Sequence, residues 1–370
     1  MRIALLGPAH SIHTIRWANG LAERGVDTHV LSLTRQDDAY DPRVSLHPLP
    51  WGSPQGYLLA APALRSALRR IQPDLLNTHY ATGYGTLARL AGFSPALVSA
   101  WGSDIYAFPY KSGLHRHVLR GNLNQATAIA VTGQAMARQV RHFTDKPVHI
   151  TPFGIDTEQF SPAPGRVQDA DAPIVVGTVK GLENTYGIDI LLQAFATLVD
   201  ALQAEAPAMA ARLVLKIYGS GSQAQALQAQ AVELGIADRT RFMGHIAHRD
   251  VPAALRDLDV YVALSRMDSF GVAILEACAC GIPVVVSDAD GPAEIVVDDV
   301  TGYIVPRLDA QAAARRLREL VLDASLRQRL GAAGRAHVQM HYSWQASLDS
   351  MLGAYQNTLR QYSVTQAGTP

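Results

Sequence analysis

Two carboxylates interrupt an otherwise apolar, helix-like stretch at residues 265–281, which reads SRMDSFGVAILEACACG. Asp268 lies at its front edge, and Glu276 follows eight residues later between Leu275 and Ala277. An unpaired carboxylate costs on the order of several kcal/mol when it is buried, so each acid needs a partner. For Glu276 the sequence leaves two partners open, an Arg of the protein or a vicinal diol such as a ribose.

The start of this stretch has the features of a phosphate site. Ser269 is a favourable N-cap for a helix that we predict to begin near Phe270. The backbone N–H groups of Gly271, Val272 and Ala273 would then point out of the helix start, where the helix dipole favours an anion. A carboxylate would repel that anion, so the acid before the helix is predicted to face neutral hydroxyls. Phosphate and polyol recognition side by side indicate a nucleotide-sugar.

The chain is long enough for two globular domains. It has 370 residues, 48% of them hydrophobic, and one core rarely serves more than about 250–300 residues. No apolar run reaches the roughly 18–20 residues of a membrane span. The N-terminal MRIALLG has the basic start of a signal peptide but too short an apolar run, and is predicted to be a first β-strand.

The two cysteines, Cys278 and Cys280, lie two residues apart on a predicted helix. They would point to different faces, which disfavours both a disulfide and a metal site. We interpret them as small core residues and expect a cytoplasmic protein.

Charge is divided unequally along a chain whose net charge is zero. Residues 1–165 carry 15 Lys and Arg against 10 Asp and Glu, whereas residues 166–370 carry 17 against 22. The first part is therefore predicted to meet something anionic, such as a membrane surface or a lipid phosphate, with solvated helix faces as the alternative. Nucleic acid is disfavoured because no exposed aromatics alternate with the basic residues. The basic residues concerned are Arg65, Arg69, Arg70, Lys111, Arg116, Arg120, Arg138 and Arg141.

Apolar runs alternate with helical stretches along most of the chain, which predicts parallel sheets covered by helices on both faces. Residues 161–173, rich in Pro, Gly and Asp, are the predicted linker. The fold class is therefore α/β, with two doubly wound Rossmann-like domains over residues 1–160 and 161–342. An amphipathic tail helix over 343–362 is predicted to cross back onto the first domain, the alternative being that it completes the second. Ligands in such sheets bind beyond the carboxyl ends of the strands, so we expect a cleft between two facing sheets.

The segment DSFGVAILEACACGIPVVVSDADGPAEIV resembles the donor-binding segment of retaining glycosyltransferases of family 4, which have the GT-B fold. The family pattern is an acid, Phe-Gly, a second acid after seven intervening residues, and Gly-Pro-Val-Val. Further segments match the family in order: HTIRWANGLAERG, DLLNTHYATGYG, VSAWGSDIY, FGIDTEQF, TVKGLENTYGIDILLQAF, YGSGSQAQ, RFMGHI, VTGYIVP and YSW.

The resemblance assigns roles to the second domain. Asp268, where the family usually has Glu, would contact the hydroxyls of the transferred sugar, and its shorter side chain could select a different donor. Glu276 would bind the ribose. Backbone groups would contact sugar, phosphate and base, and they belong to Tyr218, Gly219, Gly244, Phe270, Gly271 and Val272.

The phosphate clamp departs from the family pattern, which places an Arg and a Lys around two glycines. Aligning Gly187 with the second glycine puts Gly181 at the Arg position and Tyr186 at the Lys position. Lys180, one residue earlier, is the nearest cation and is predicted to serve the leaving phosphate. A surface lysine at a strand end is the alternative.

Residues of the first domain are assigned with less specific motifs. The loop after strand one would bring Gly7, Ser11 and His13 near the donor phosphate. His79 ends the strand DLLNTH and matches a family histidine near the reacting sugar carbon, the alternative being a capped strand-end histidine.

The segment WGSDIY resembles a family segment that often reads His-Gly, with Trp101 in place of the His. Trp101 and Asp104 are the predicted acceptor-binding residues. For Asp104 the alternative is a turn-capping role, which is common for an Asp after Gly-Ser.

The implied reaction moves a sugar from a UDP- or GDP-sugar to a hydroxyl of a glycan or lipid-linked acceptor, with retention of configuration, in cell-envelope or exopolysaccharide biosynthesis. No cofactor is expected, and the resemblance implies that no metal is needed either, because the family works without one. Two alternatives stay open: a nucleotide-sugar 2-epimerase of the same architecture, and an inactive nucleotide-sugar-binding protein.

Overall fold

The computed structural model describes residues 1–34, 39–163 and 172–367 and divides into two compact units. Unit 1 comprises Met1–Pro152 and Ser347–Pro370, and unit 2 comprises Phe153–Ala346. Of the predicted linker 161–173, residues 164–171 lie outside the described ranges.

Unit 1 is built on a parallel sheet of seven strands in the order β3-β2-β1-β4-β5-β6-β7. Each strand except β3 and β7 is mostly buried, because helices cover both faces of the sheet. The strands are β1 (Arg2–Leu6), β2 (Asp27–Ser32), β3 (Ser45–Pro48), β4 (Leu75–His79), β5 (Ala96–Ala100), β6 (Ala128–Val131) and β7 (Val148–Ile150).

The helices of unit 1 bury one stripe each against this sheet. In the first of them, Ile15, Ala18, Leu21 and Ala22 form the predicted buried stripe, and Gly25 follows its end with a positive φ of 77°. The helices are α1 (Ile12–Glu23), α2 (Gly56–Leu59), α3 (Ala61–Ile71), α4 (Gly83–Ala91), α5 (Ser103–Tyr106), α6 (Gly113–Gln125) and α7 (Gln134–Val140).

Unit 2 is built on a parallel sheet of six strands in the order β10-β9-β8-β11-β12-β13. Its core is one cluster of aliphatic side chains with Phe195 and Tyr303. The strands are β8 (Ile174–Val179), β9 (Leu213–Tyr218), β10 (Thr240–Gly244), β11 (Val260–Ala263), β12 (Val284–Ser287) and β13 (Gly302–Val305). The helices are α8 (Ile188–Glu205), α9 (Pro207–Arg212), α10 (Ala224–Glu233), α11 (Val251–Arg256), α12 (Val272–Ala279), α13 (Asp290–Ile295), α14 (Ala310–Leu322) and α15 (Ala324–His341).

The last helix, α16 (Trp344–Ala367), returns to unit 1, as predicted, and is five residues longer than expected at its end. Leu348, Met351 and Tyr355 are buried on its inner stripe. The amide of Asn77, on β4, donates a hydrogen bond of 2.8 Å to the Tyr355 hydroxyl. This bond fixes the helix against the sheet of unit 1.

The predicted α/β alternation is confirmed, but strands β3 and β13 were not predicted. Strand β3 has four partly exposed residues and ends in Pro48 at the sheet edge, so it leaves no apolar run in the sequence. Cys278 and Cys280 are both buried, as predicted for small core residues, and burial raises the pKa of each thiol to about 12. None of the described helices is long and apolar enough to cross a bilayer.

Each sheet has one switch point, the place where the strand order changes direction. In unit 1 it lies between β1 and β4, and in unit 2 between β8 and β11. Ligands of open parallel sheets bind beyond the carboxyl ends of the strands at such points. The predicted site residues lie at or after the carboxyl ends of these four strands and of β5, β9 and β10.

Candidate functional site

Lys180 and Asp268 meet at the switch point of unit 2. Lys180 directly follows β8, and Asp268 lies in the loop after the neighbouring strand β11. The Lys180 ammonium donates to Asp268 Oδ2 over 2.7 Å, and the two side chains are only 13% and 11% exposed. Sequence reasoning assigned the two residues separately to phosphate and to sugar, and the structure joins them in one ion pair.

The environment of Lys180 keeps it charged. Burial disfavours the ammonium, but the charge and hydrogen bond of Asp268, together with Tyr261 and Tyr186, outweigh burial, so the pKa of Lys180 is raised above its ordinary value. The ammonium also lies 4.6 Å from the centre of the Tyr186 ring, and that ring borders Gly181. The pair is neutral overall, so Asp268 can lie beside a phosphate without repelling it.

The loops after β8, β9 and β10 are joined through their backbones. The N–H of Lys180 donates to the carbonyl of Tyr218 over 2.9 Å, and the N–H of Gly219 donates to the carbonyl of Gly244 over 2.8 Å. The predicted backbone contacts for a nucleotide therefore share one edge of the unit 2 sheet with the ion pair.

Helix α12 begins at Val272, and the prediction that Ser269 caps it is wrong. Gly271 occupies the N-cap position with φ of 102°, a conformation that glycine adopts far more readily than other residues. Upstream, the Phe270 N–H donates to Asp268 Oδ1 over 3.3 Å, so this loop folds around Asp268. The first N–H groups of α12 have no acceptor within the helix, which keeps the start of α12 suited to an anion.

The Phe270 side chain is buried and serves packing. Its ring contacts those of Phe153 and Tyr342 edge-on, at centroid distances of 5.9 and 6.1 Å. Only the backbone of Phe270 is therefore available for the predicted ligand contact.

Glu276 is buried on α12 and has a histidine as its partner. The residue is 5% exposed, and its Oε1 lies 3.2 Å from Nε2 of His248. The protein partner in this contact is thus a histidine and not the Arg that the sequence left open. Sequence reasoning missed His248 because nothing in the spacing of residues 248 and 276 connects them.

The switch point of unit 1 brings Gly7 and His79 into contact. A Cβ atom on Gly7 would lie 2.9 Å from the Cβ of His79, so only glycine permits this approach. The His79 ring is fully buried, and its Nδ1 lies 3.1 Å from the hydroxyl of Thr14. Among the described residues, His79 Nε2 has no hydrogen-bond partner.

The ring of His79 packs against that of Trp101, with centroids 4.4 Å apart. Trp101 also contacts the rings of Tyr80 at 4.9 Å and His13 at 5.5 Å. Ser11 precedes α1 at its N-cap position, without a side-chain capping bond. Gly7, His13 and Asp104 thus each contact His79 or Trp101, whereas Ser11 is placed only at the start of α1.

The carboxylate of Asp104 binds the protein's own backbone. It is 2% exposed, and its carboxylate accepts hydrogen bonds from the N–H groups of Ala81, Trp101 and Gly102. Of the two interpretations offered by the sequence, the turn-capping one describes this geometry. The carboxylate holds Trp101 and the end of β4 in place.

Because the imidazole of His79 is buried, the free energy of unfolding should depend on pH. Burial, and secondarily the charge of His13, lowers the pKa of His79 to about 3, whereas an unfolded histidine titrates near about 6.5. The unfolded chain therefore binds the extra proton, and the free energy of unfolding falls as the pH drops below about 6.5, by up to about 1.4 kcal/mol per pH unit.

We expect the His79→Gln variant to lose the part of this slope that His79 contributes between pH 6 and pH 4, whatever its stability at pH 7. Tryptophan fluorescence in urea can follow it, since Trp17, Trp51 and Trp101 all lie in unit 1. The matched control is His142→Gln, an exposed histidine of the same unit. Parallel pH curves for the wild type and His79→Gln would contradict the assignment.

No group of three His, Cys, Asp or Glu side chains in residues 1–34, 39–163 and 172–367 is arranged to hold a metal ion.

The chain superposes on solved structures that include glycosyltransferases and a sucrose-phosphate synthase. The chain superposes on Anabaena HepE in complex with UDP with a TM-score of 0.80 and 18% identity, covering 96% of this chain and 100% of that one. Sucrose-phosphate synthase from Thermosynechococcus elongatus gives a TM-score of 0.78 and 21% identity, covering 96% and 98%. At these identities the likeness establishes the fold, which is GT-B.

Two family models match successive parts of the chain. Residues 2–133 match the model "Glycosyl transferase 4-like", and residues 165–337 match "Glycosyl transferases group 1". Each model covers less than half of the chain, and together they support a glycosyltransferase with the GT-B fold.

Curated relatives match over part of their length. D-inositol 3-phosphate glycosyltransferase from Streptomyces scabiei is 32% identical over 61% of this chain and 53% of its own length. The protein of the same name from Saccharomonospora viridis is 34% identical over 57% of this chain and 50% of its own length. The chain thus spans about half the length of the curated relatives it matches.

Proposed function

We propose that the chain transfers a sugar from a nucleotide-diphosphate sugar, with UDP- or GDP-sugars as the first candidates, to a hydroxyl of a glycan or lipid-linked acceptor with retention of configuration. The observation that carries this proposal is the arrangement in unit 2. The buried carboxylate of Glu276, the start of α12 and the Lys180–Asp268 pair all belong to the segments that follow β8 and β11.

Each part of this arrangement has a ligand group that suits it. The Lys180 ammonium and the first N–H groups of α12 would meet the diphosphate, and Asp268 would accept from a sugar hydroxyl. Glu276 would accept from the two hydroxyls of the ribose. Backbone groups of Gly219 and Gly244 would contact the base.

The proposed transfer is an electrostatically assisted substitution at the anomeric carbon. The bond from that carbon to the leaving phosphate oxygen breaks, and the bond to the acceptor oxygen forms on the same face of the sugar. The acceptor's proton passes to the leaving phosphate. Lys180 and the α12 start stabilise the charge that develops on this phosphate, as donors in an oxyanion hole do, so the scheme requires no metal.

A screen of donors tests the proposal. UDP-, GDP- and ADP-sugars would each be added to the protein, and the one that binds should raise the unfolding temperature by mass action. We expect product only when a hydroxyl acceptor is present. Inositol phosphate belongs among the acceptors, given the names of the curated relatives.

The same experiment separates the alternatives. Isomerisation of the donor without an acceptor would favour the nucleotide-sugar 2-epimerase. Binding without turnover for any acceptor would favour a nucleotide-sugar-binding protein, and no binding of any nucleotide-sugar would contradict all three.

An anionic membrane is the proposed partner of unit 1. Five large apolar side chains, between 54% and 70% exposed, follow the carboxyl ends of β3 and β5: Trp51, Leu58, Leu59, Tyr110 and Leu114. Basic residues adjoin them in sequence on α3 and at the start of α6, and each contributes about 1 kcal/mol near an anionic surface. This would hold the protein at the cytoplasmic face of the membrane, near a lipid-linked acceptor.

We expect the protein to co-sediment with vesicles that contain phosphatidylserine and not with purely zwitterionic ones, at low salt. Leu58→Ser with Leu59→Ser should weaken this binding severalfold, because both side chains would lose their apolar contact with lipid. Met340→Ser, at an exposed methionine of unit 2, is the control. Equal sedimentation with both vesicle types, or none, would refute the membrane contact.

A further inference from the structure

His248 contacts Glu276, which carries the one carboxylate side chain of α12. It lies in the 3-10 turn His248–Asp250 after β10, and its Nε2 lies 3.2 Å from Glu276 Oε1. The Glu276 side chain is 7% exposed, whereas the His248 side chain is 46% exposed. A solvent-accessible imidazole therefore covers a nearly buried acid.

The direction of this hydrogen bond is determined by chemistry. An ionised carboxylate has no proton to give, so Nε2 of His248 must carry the hydrogen and donate it. The carboxylate thus selects the protonation of Nε2, in either the neutral or the charged ring. The same hydrogen bond fixes the orientation of one carboxylate oxygen of Glu276.

A second contact holds the imidazole from another side. The rings of His248 and Phe160 meet edge-on, with centroids 5.8 Å apart. Phe160 is 2% exposed, and its carbonyl accepts a hydrogen bond of 3.2 Å from Arg335. His248 is therefore positioned by a buried ring that is itself anchored to α15.

A free glutamate side chain has several rotatable bonds, and binding a ligand must immobilise them. A carboxylate has about four acceptor sites, and His248 occupies one of them. The remaining sites suffice for two vicinal hydroxyls. A glutamate that is already oriented loses less entropy when those hydroxyls bind.

We propose that His248 is a positioning residue for the nucleotide ribose: by donating to Glu276 it orients this carboxylate to accept from the two ribose hydroxyls. The inference rests on the proposed function and adds a residue to its site. His248 acts through Glu276 and is assigned no contact with the reacting atoms.

The test measures how well the protein distinguishes a ribose from a 2′-deoxyribose. UDP, GDP and ADP are first titrated by calorimetry, and the one that binds is compared with its 2′-deoxy counterpart. For the wild type we expect the ribonucleotide to bind about tenfold more tightly or better, because a hydrogen bond to a charged group is lost in the deoxy form.

Three variants at residue 248 then separate positioning from other roles. His248→Ala should weaken ribonucleotide binding about three- to tenfold and reduce the ribose preference at least about threefold. His248→Gln should restore most of the preference, because its amide can donate from about the place of Nε2. His248→Asn is shorter and should not restore it, and Arg249→Ala, at the exposed neighbour, should behave as the wild type.

The outcomes are distinguishable. Nucleotide binding with an unchanged ribose preference in His248→Ala would overturn the role of His248 and leave the proposed function standing. A loss that His248→Gln does not repair would also overturn it. Binding of none of the three nucleotides would overturn the proposed function and this inference together.

Discussion

The Glu276→Gln variant is expected to bind the nucleotide-sugar at least about tenfold more weakly than the wild type, with kcat/KM reduced by a similar factor. The substitution preserves shape and removes the negative charge. Hydrogen bonds to a charged acceptor contribute about 1.5–3 kcal/mol each, and two ribose hydroxyls would lose such an acceptor. The measurement is calorimetric titration with the donor found in the screen, followed by steady-state kinetics.

Two further variants sharpen this test. Glu276→Ala should lose at least as much affinity, because no acceptor remains at this position. Glu205→Gln removes a carboxylate that pairs with Arg318 at the surface of the same unit, and it should leave both binding and transfer unchanged. A normal dissociation constant in Glu276→Gln would remove Glu276 from the site.

The Lys180→Met variant is expected to lose transfer by at least about tenfold, and also to lose stability. Removing the ammonium takes at least about 1.4 kcal/mol of stabilisation from the leaving phosphate in the transition state. It also leaves the nearly buried Asp268 without its counter-ion, a change that typically costs about 3–5 kcal/mol in free energy of unfolding. Initial rates at saturating donor and urea unfolding measure the two effects.

A double-mutant cycle with Asp268→Asn separates the two causes. If the pair is coupled, the double variant should be more stable than the sum of the single losses predicts, while transfer stays low. Lys216→Met is the matched control, because Lys216 forms an ion pair with Asp257 in the same unit but at a more exposed place. Wild-type kinetics in Lys180→Met would exclude Lys180 from phosphate binding.

The same pair changes the interpretation of the altered phosphate clamp. The chain has Gly181 and Tyr186 where the family resemblance leads one to expect cations. In the structure the ring of Tyr186 faces the Lys180 ammonium at 4.6 Å, and Gly181 adjoins that ring. One lysine, which contacts the carboxylate of Asp268 and the ring of Tyr186, thus lies where the family resemblance predicts two independent cations.

The local elements were predictable because their signals are local. Helix α1 buries the four residues whose spacing predicted its stripe, and most strands of both sheets coincide with segments that were predicted as strands. The order of these elements along the chain was enough to indicate parallel sheets, since parallel strands need crossover connections.

Predictions that depended on the backbone conformation of a single residue were less accurate. Ser269 has the side chain of an N-cap, but φ of 102° at Gly271 shifts the helix start by two residues. Asp104 likewise has the side chain of a ligand-binding acid, yet three backbone N–H groups occupy it. In both cases the neighbouring backbone decided the role, and residue type alone does not encode it.

The sequence by itself determined which residues carry charge, which segments form strands and helices, and the resemblance that named Glu276, Asp268 and Lys180 as candidates. Only the tertiary structure decided which of them meet. Lys180 and Asp268 are 88 residues apart, and His248 and Glu276 are 28 apart. For Lys180 and Asp268 the reason is the sheet order: β8 pairs with β11 although β9 and β10 come between them in the chain, and this neighbourhood results from how the strands pack together.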